Sequence, residues 1–416
     1  MHFKRYLEGD LKTWKMRPTR KPLLLRGARQ VGKTSLLKRF GREAFEQVAY
    51  FNFDEQPLLK PLFDQTKDVN ALLKSLSLVH GEPIRPETTL VIFDEIQECK
   101  PALNSLKYFS ENASNYAVAA AGSLLGVALN NHDSFPVGKV EFLEIFPLTF
   151  LEVLAGADPS LCEYLTNLDF RESIPEIFYH RLLERFKQYL VSGGMPEAAR
   201  RLVENQSVDE TQLVLGYIIK SYELDFSKHV RAKDIPKLGL IWNSIPSQLA
   251  RENRKFLFQS VKPGARAREY EDALRWLEQA GLVVRVHSCK KPHIPLSAYD
   301  DLSAFKIYML DVGVLRRKAQ LHPAAIFEGN RLFTEFKGAL TENYVLQSLS
   351  TQFEVAPRYW TSAGKAEVDF LLQHKNEIVP VEVKSDQVVR SKSLAWYAQA
   401  FSPKLKIRYS LKNLEY

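Results

Sequence analysis

At 416 residues the chain is too long for one ordinary hydrophobic core, so two to four domains are expected. Its 45% hydrophobic and 25% charged content are globular values. Three widely separated cysteines, Cys99, Cys162 and Cys289, fit neither a disulfide framework nor a zinc ribbon. The start Met1-His2-Phe3-Lys4-Arg5-Tyr6 lacks a signal peptide's apolar core, and the stretch Tyr116 to Leu129 is too short to span a bilayer, so a cytoplasmic location without membrane contact is expected.

The net charge of +8 is unevenly spread. Residues 1–42 hold 13 Lys/Arg against 2 Asp/Glu, residues 43–225 hold 14 against 28, and residues 226–291 hold 14 against 6. Two basic zones flanking an acidic middle suit polyanion partners: nucleotide phosphates for the first zone and nucleic acid for the second. A solvated face explains a charge run equally simply.

Phe3, Tyr6, Leu7, Leu11 and Trp14 recur at helical spacing and predict a short amphipathic helix packed beside the next element. Leu23-Leu24-Leu25 reads as a strand that runs into Gly27-Ala28-Arg29-Gln30-Val31-Gly32-Lys33-Thr34, a match to G-x-x-x-x-G-K-[ST], and Ser35 begins the helix that follows. Strand, glycine-rich loop and helix are the context that makes this a P-loop. Its backbone N–H groups can turn toward phosphates, Lys33 adds a cation at the β/γ oxygens, and the Thr34 hydroxyl can ligate Mg²⁺. ATP or GTP is the expected ligand, with ATP and Mg²⁺ as cofactors.

Val48 to Phe53 reads as the second strand, Leu72 to Val79 as a helix, and Leu90 to Phe93 as a third strand ending in Asp94-Glu95. A continuous apolar run is what a strand buried on both faces requires. Asp94 is then placed for the metal and Glu95 for polarising a water. Ala117 to Ala121 forms a fourth strand that closes in Gly122-Ser123, where Ser123 is either a γ-phosphate sensor or the N-cap of the next helix.

This order of strands resembles the core of AAA+ and STAND-type ATPases. The P-loop with its Gln30-Val31, Phe93 to Gln97, Ala121 to Ser123, Pro147 to Glu152, Gly193 to Glu197, Phe305 to Gly313 and Glu367 to Phe370 are similar to the prokaryotic family built from an AAA domain plus DUF4143. The resemblance implies an ATPase over nearly the whole chain. Lys139 stands where relatives often carry Arg, and a lysine offers only a point charge where a guanidinium would grip phosphate bidentately. The resemblance also gives Pro196 a role, packing on adenine as in the GxP element of STAND ATPases. The alternative is a loop-to-helix junction with Pro at the first turn.

Residues 155–225 carry helical spacing and are expected to form a helical lid. Ala267 to Ala280 reads as a helix ended by Gly281, followed by a strand from Leu282 to His287, a turn at Lys290 to His293 and a strand from Lys306 to Leu310. That order predicts a winged helix, with Lys262, Arg266, Arg268, Arg275, Lys290 and Lys291 available for DNA phosphates or for a protein contact.

In the last quarter Glu367 to Leu372 and Ile378 to Lys384 read as a hairpin. Together with Glu342 on a preceding helix, the set Glu342, Asp369, Glu382 and Lys384 looks like a PD-(D/E)xK nuclease core, although Ala366-Glu367-Val368 replaces the usual proline. The carboxylates could hold Mg²⁺ or Mn²⁺ and Lys384 could act on water, or the fold could be retained without activity.

The expected class is therefore α/β. A P-loop NTPase core, a parallel sheet with helices on both faces, spans 1–154; the helical lid spans 155–225, the winged helix 226–320, and a restriction-endonuclease-like α/β domain 321–416. The expected activity is ATP hydrolysis on or near DNA, the alternative a nucleotide-switched scaffold for protein partners. A homo-oligomer is compatible with either.

Overall fold

In the computed structural model, which describes residues 2–123, 138–169, 171–251, 254–328, 334–362, 366–385 and 391–414, five parallel strands form the first sheet. They are β1 (Leu23–Arg26), β2 (Gln47–Asn52), β3 (Thr89–Asp94), β4 (Ala117–Gly122) and β5 (Glu141–Glu144), in the order β2-β3-β4-β1-β5. They belong to a unit comprising Lys4–Phe146 with Gln279–Gly281.

The period-two alternation of strands assigns the two faces. Ala49, Phe51, Val91, Phe93, Val118 and Ala120 point into a core shared with the helices Val69–His80 and Lys100–Asn112. There Phe93 meets Phe51, Phe63 and Phe109 with ring centroids 5.5–6.1 Å apart. The alternate residues Val48 and Leu90 lie against Gly41 of the helix Lys33–Ala44, where a Cβ would collide with Val48. Helices thus cover both faces of the sheet. Every residue of β3 and β4 is buried, as their apolar composition requires. The N-terminal helix forms over Leu7–Met16, buries Leu11 and Trp14, and places Trp14 against Phe40.

The second unit comprises Met1–Phe3, Pro147–Glu278 and Leu282–Tyr416. It opens with Phe150–Ala157, whose capping box joins Thr149 and Glu152 reciprocally, and continues through Pro159–Thr166, Glu176–Ser192, Pro196–Asn205, Val208–His229 and Ile235–Leu249. Helices are therefore present where a lid was expected, and they continue beyond residue 225. The helix expected over 267–280 spans Ala267–Gln279 and buries Tyr270, Leu274 and Leu277.

Its sheet is mixed and six-stranded, made of β6 (Val283–Cys289), β7 (Asp300–Met309), β8 (Arg358–Thr361), β9 (Glu367–His374), β10 (Glu377–Val383) and β11 (Ile407–Tyr409), in the order β11-β10-β9-β8-β6-β7. The hairpin read as a wing is present, with β6 and β7 antiparallel, but β6 also pairs in parallel with β8 through Ser288 to Tyr359 and Cys289 to Trp360. Hydrogen bonding thus crosses residue 320, where separate winged-helix and C-terminal domains were expected. A strand exposes two hydrogen-bonding edges, and which distant segment takes the second edge is a tertiary choice that hydrophobic patterning does not encode.

Candidate functional site: a P-loop and its acidic strand

The helix Lys33–Ala44 begins at Gly32 in the left-handed region (φ 97°) with no side-chain cap, so its first N–H groups are left for a ligand. Gln30 also has positive φ (65°), and a Cβ on Gly27 would strike the Ile145 carbonyl. The loop therefore depends on glycine at 27 and 32 for space and for backbone conformation. Ala28 and Val31 are buried and anchor the loop, Arg29 is half-buried, and Ser35 is exposed on the first turn.

Lys33 is 5% exposed, and its ammonium donates to the carbonyls of Gly27 (2.9 Å) and Ala28 (2.6 Å). Burial lowers its pKa to about 8, with Glu95 and Asp94 pulling the other way. A buried cation beside a glycine-rich loop at an uncapped helix N-terminus suits the negative charge that nucleotide phosphates supply.

The Thr34 hydroxyl donates to Asp94 Oδ2 at 2.7 Å, so the two residues expected at the metal are in contact. The same carboxylate oxygen accepts from the Tyr50 hydroxyl at 2.8 Å. Glu95, in the left-handed region at φ 47°, lies just past β3. Its Oε1 accepts from Ser123 Oγ (3.2 Å) and its Oε2 from Gln97 Nε2 (2.5 Å). A non-glycine residue held at positive φ marks a place where the backbone is bent to aim a side chain. Ser123 thus contacts Glu95; the residues from 124 onward that it would cap lie outside the described residues. Lys139 pairs with Glu111 at 3.0 Å.

Tyr50, Asn52 and Gln97 had no role in the sequence reading beyond strand positions and family resemblance. The available signal was polar residues spaced by two at the C-terminal end of a parallel strand, the end where α/β sheets bind ligands.

In the second unit, Pro196 opens the helix Pro196–Asn205 behind Gly193-Gly194. The Gly194 N–H donates to Asp311 Oδ2, and Cβ atoms on Gly193, Gly194 and Gly313 would strike Asp311, the Leu148 carbonyl and the Ser192 carbonyl respectively. The family-like segments around residues 147, 193 and 311 therefore interlock.

The four residues expected as a nuclease set are each held by protein partners. Glu342, on the helix Thr334–Gln352, accepts from Arg254 (2.7 Å) and from the Tyr308 hydroxyl (3.0 Å), with Lys306 at 3.8 Å. Burial works to raise its pKa, but Lys306 and Arg254 outweigh it and bring it to about 2. Asp369 shares a hydrogen bond with Glu342 and accepts from the Val383 N–H; burial, then the Glu342 charge, raise it well above the usual carboxylate range. Glu382 instead accepts from Ser391 and from the Leu394 N–H of the helix Lys392–Phe401, and pairs with Lys384 at 2.6 Å. Among the described residues no group of three or more His, Cys, Asp or Glu is arranged to hold a metal ion. Glu342 is captured by Arg254, Tyr308 and Lys306 from elsewhere in the sequence, whereas Glu382 pairs with its near neighbour Lys384.

The fold and loop of the first unit define a P-loop nucleotide-binding protein. Its residues 19–154 match the model of a family described as AAA domain, residues 183–325 match a domain of unknown function (DUF8612), and residues 337–415 match another (DUF4143). Three separate stretches of the chain are thus similar to an AAA domain and to two domains of unknown function. It is similar in fold to a Walker-type ATPase of Pyrococcus abyssi, with 16% identity and a TM-score of 0.50 over 76% of this chain and 96% of that one. It also aligns with a RuvB variant of Thermotoga maritima (17% identity, TM-score 0.32, 69% and 87% of the two chains). A third match is the Aeropyrum pernix Orc1 protein, solved in complex with DNA (11%, 0.28, 76% and 93%). No curated protein matches the chain. Among the described residues no helix is long and apolar enough to cross a membrane.

Proposed function

We propose that the chain is a Mg²⁺-dependent ATP hydrolase that acts on or near DNA. The observation that carries the hydrolase reading is the contact of Thr34 with Asp94, with Glu95 and Lys33 beside them. Bound MgATP supplies a phosphoanhydride bond and a cation that neutralises developing charge. The loop from Gly27 to Ser35 would hold the phosphates, and Thr34 and Asp94 the metal ion.

Lys33 leaves the Gly27 and Ala28 carbonyls for phosphate oxygens, and the exchange of neutral acceptors for anionic ones favours binding. Glu95 is the base that orients and polarises a water, while Ser123 and Gln97 fix which way its two oxygens face. In this state both oxygens are occupied, so at least one hydrogen bond is given up when a water engages.

The DNA part rests on the surface around the helix Ala267–Gln279. Lys262, Arg266, Arg268, Arg275 and Lys291 are exposed there, whereas Arg285 is consumed by Glu271 and Glu278. Cations on a solvent face suit phosphate contacts, which position a protein without reading sequence. For Glu342, Asp369, Glu382 and Lys384 we favour a structural role, because each is already engaged by protein neighbours.

ATP turnover measured with and without duplex DNA over a salt series tests both parts. Turnover that is stimulated by DNA and falls steeply with salt is expected. Turnover indifferent to DNA would leave a nucleotide-switched scaffold for protein partners, and no turnover at all would overturn the hydrolase reading.

A further inference from the structure

We infer that Tyr50 is a positioning residue for the metal site, fixing the carboxylate of Asp94 through a hydroxyl whose proton can go nowhere else. The inference rests on the hydrolase reading above. β2 and β3 pair in parallel with Asn52 opposite Asp94, which brings the Tyr50 hydroxyl to Asp94 Oδ2 at 2.8 Å.

The direction of that hydrogen bond follows from a chain of constraints. Asn52 Oδ1 accepts from the backbone N–H groups of Asp54 (2.9 Å) and Glu55 (3.2 Å), which fixes the amide's orientation. Its Nδ2 must then face the Tyr50 oxygen, 3.2 Å away, and donate to it. The tyrosine oxygen is an acceptor for Asn52, so its own proton points at Asp94.

The Tyr50 ring is held from its face by the Lys38 ammonium, 3.4 Å from the centroid. Lys38 and Thr34 lie on the same helix, so that helix reaches Asp94 directly through Thr34 and a second time by way of Lys38 and Tyr50.

Asp94 Oδ2 thus accepts two hydroxyl protons, from Thr34 and Tyr50, while Oδ1 accepts from the Glu95 N–H at 3.1 Å. With Asp94 fixed in orientation, the Thr34 hydroxyl keeps its proton directed at Oδ2 and presents lone pairs outward. Without the Tyr50 hydroxyl the carboxylate can rotate, and the Thr34 oxygen is no longer aimed. Partners that orient metal-site residues in this way typically change metal affinity by 10- to 100-fold when removed.

The test is Tyr50→Phe, which keeps the ring over Lys38. Mn²⁺ binding to ADP-loaded protein, followed by loss of the free-ion EPR signal, should weaken about tenfold. ADP affinity in EDTA and the melting temperature should match wild type, and Tyr50→Leu should be no weaker toward Mn²⁺ than Tyr50→Phe. Wild-type Mn²⁺ affinity in Tyr50→Phe overturns the inference while leaving the hydrolase reading intact, as does a loss of metal binding that tracks a fall in melting temperature. Failure of wild-type protein to bind ADP or Mn²⁺ overturns both.

Discussion

Asp311 Oδ2 accepts the Gly194 N–H at 2.6 Å, so a carboxylate at the end of β7 holds the turn between two helices more than a hundred residues earlier. The same carboxyl group accepts from the Val314 N–H (3.0 Å) and from Gln347 (3.0 Å), and it is fully buried. The segments around Gly194 and Asp311 are thus the two halves of one junction.

Gly194→Ala should destabilise the protein by about 2–3 kcal/mol, since its methyl group would meet the Leu148 carbonyl in a packed interior. Asp311→Ala should cost a similar amount by leaving two buried N–H groups unpaired. Burial holds the Asp311 carboxyl above its ordinary pKa, against the pull of its hydrogen bonds. The native state therefore binds the proton more tightly, and this residue's contribution to stability falls as pH rises above the ordinary aspartate value. Urea denaturation of each variant over a pH series measures both effects; wild-type midpoints would show that the junction is slack.

Lys33→Met should abolish ATP binding and yet stabilise the nucleotide-free protein at pH 7. The Lys33 pKa is lowered from 10.5 to about 8, so the unfolded chain binds the extra proton between those values and stability rises with pH across that window. Below pH 8 the full penalty is present, and removing the charge should return on the order of 1–3 kcal/mol. Calorimetric titration with ATP and melting curves at pH 7 and 10 check the two halves; a lower melting temperature at pH 7 would contradict the second.

Glu95→Gln should bind ATP with near wild-type affinity and hydrolyse it roughly 10²–10⁴ times more slowly, because the amide keeps the contacts' shape but cannot polarise water. Ser123→Ala removes only one of the two hydrogen bonds that aim Glu95 and should lower turnover less than Glu95→Gln does. Single-turnover kinetics with labelled ATP separate binding from chemistry. Equal losses in the two variants would give Ser123 a direct part.

Lys306→Met should destabilise far more than Asp369→Asn. Lys306 is fully buried between Glu367 (2.5 Å) and Glu342 (3.8 Å), and those acids hold its pKa up despite burial. Removing it strands buried negative charge at about 3–5 kcal/mol. Burial, then the Glu342 charge, push the Asp369 carboxyl well above the usual carboxylate range, so a neutral amide should be tolerated at under about 1.5 kcal/mol. Chemical denaturation ranks the two. The opposite ranking would mean that Asp369 is ionised and free to take a metal.

The residues that act within one short segment were legible in the sequence. Gly27 to Thr34 declares its loop because glycine spacing, a lysine and a hydroxyl are local requirements of phosphate binding, and the apolar run from Leu90 to Phe93 declares a doubly buried strand for an equally local reason. The helix over Ala267–Gln279 and the hairpin of β9 and β10 followed from periodicity alone. What only the tertiary structure decided is which distant groups meet. Tyr50 reaches Asp94 because β2 lies beside β3, β6 bonds to β8 across a division expected at residue 320, Glu342 is taken up by Arg254, Lys306 and Tyr308, and Asp369 by Glu342 and the Val383 N–H. A carboxylate at the end of a strand reads the same in sequence whether a cation or a buried lysine neutralises it, because the neutralising charge arrives from another part of the chain.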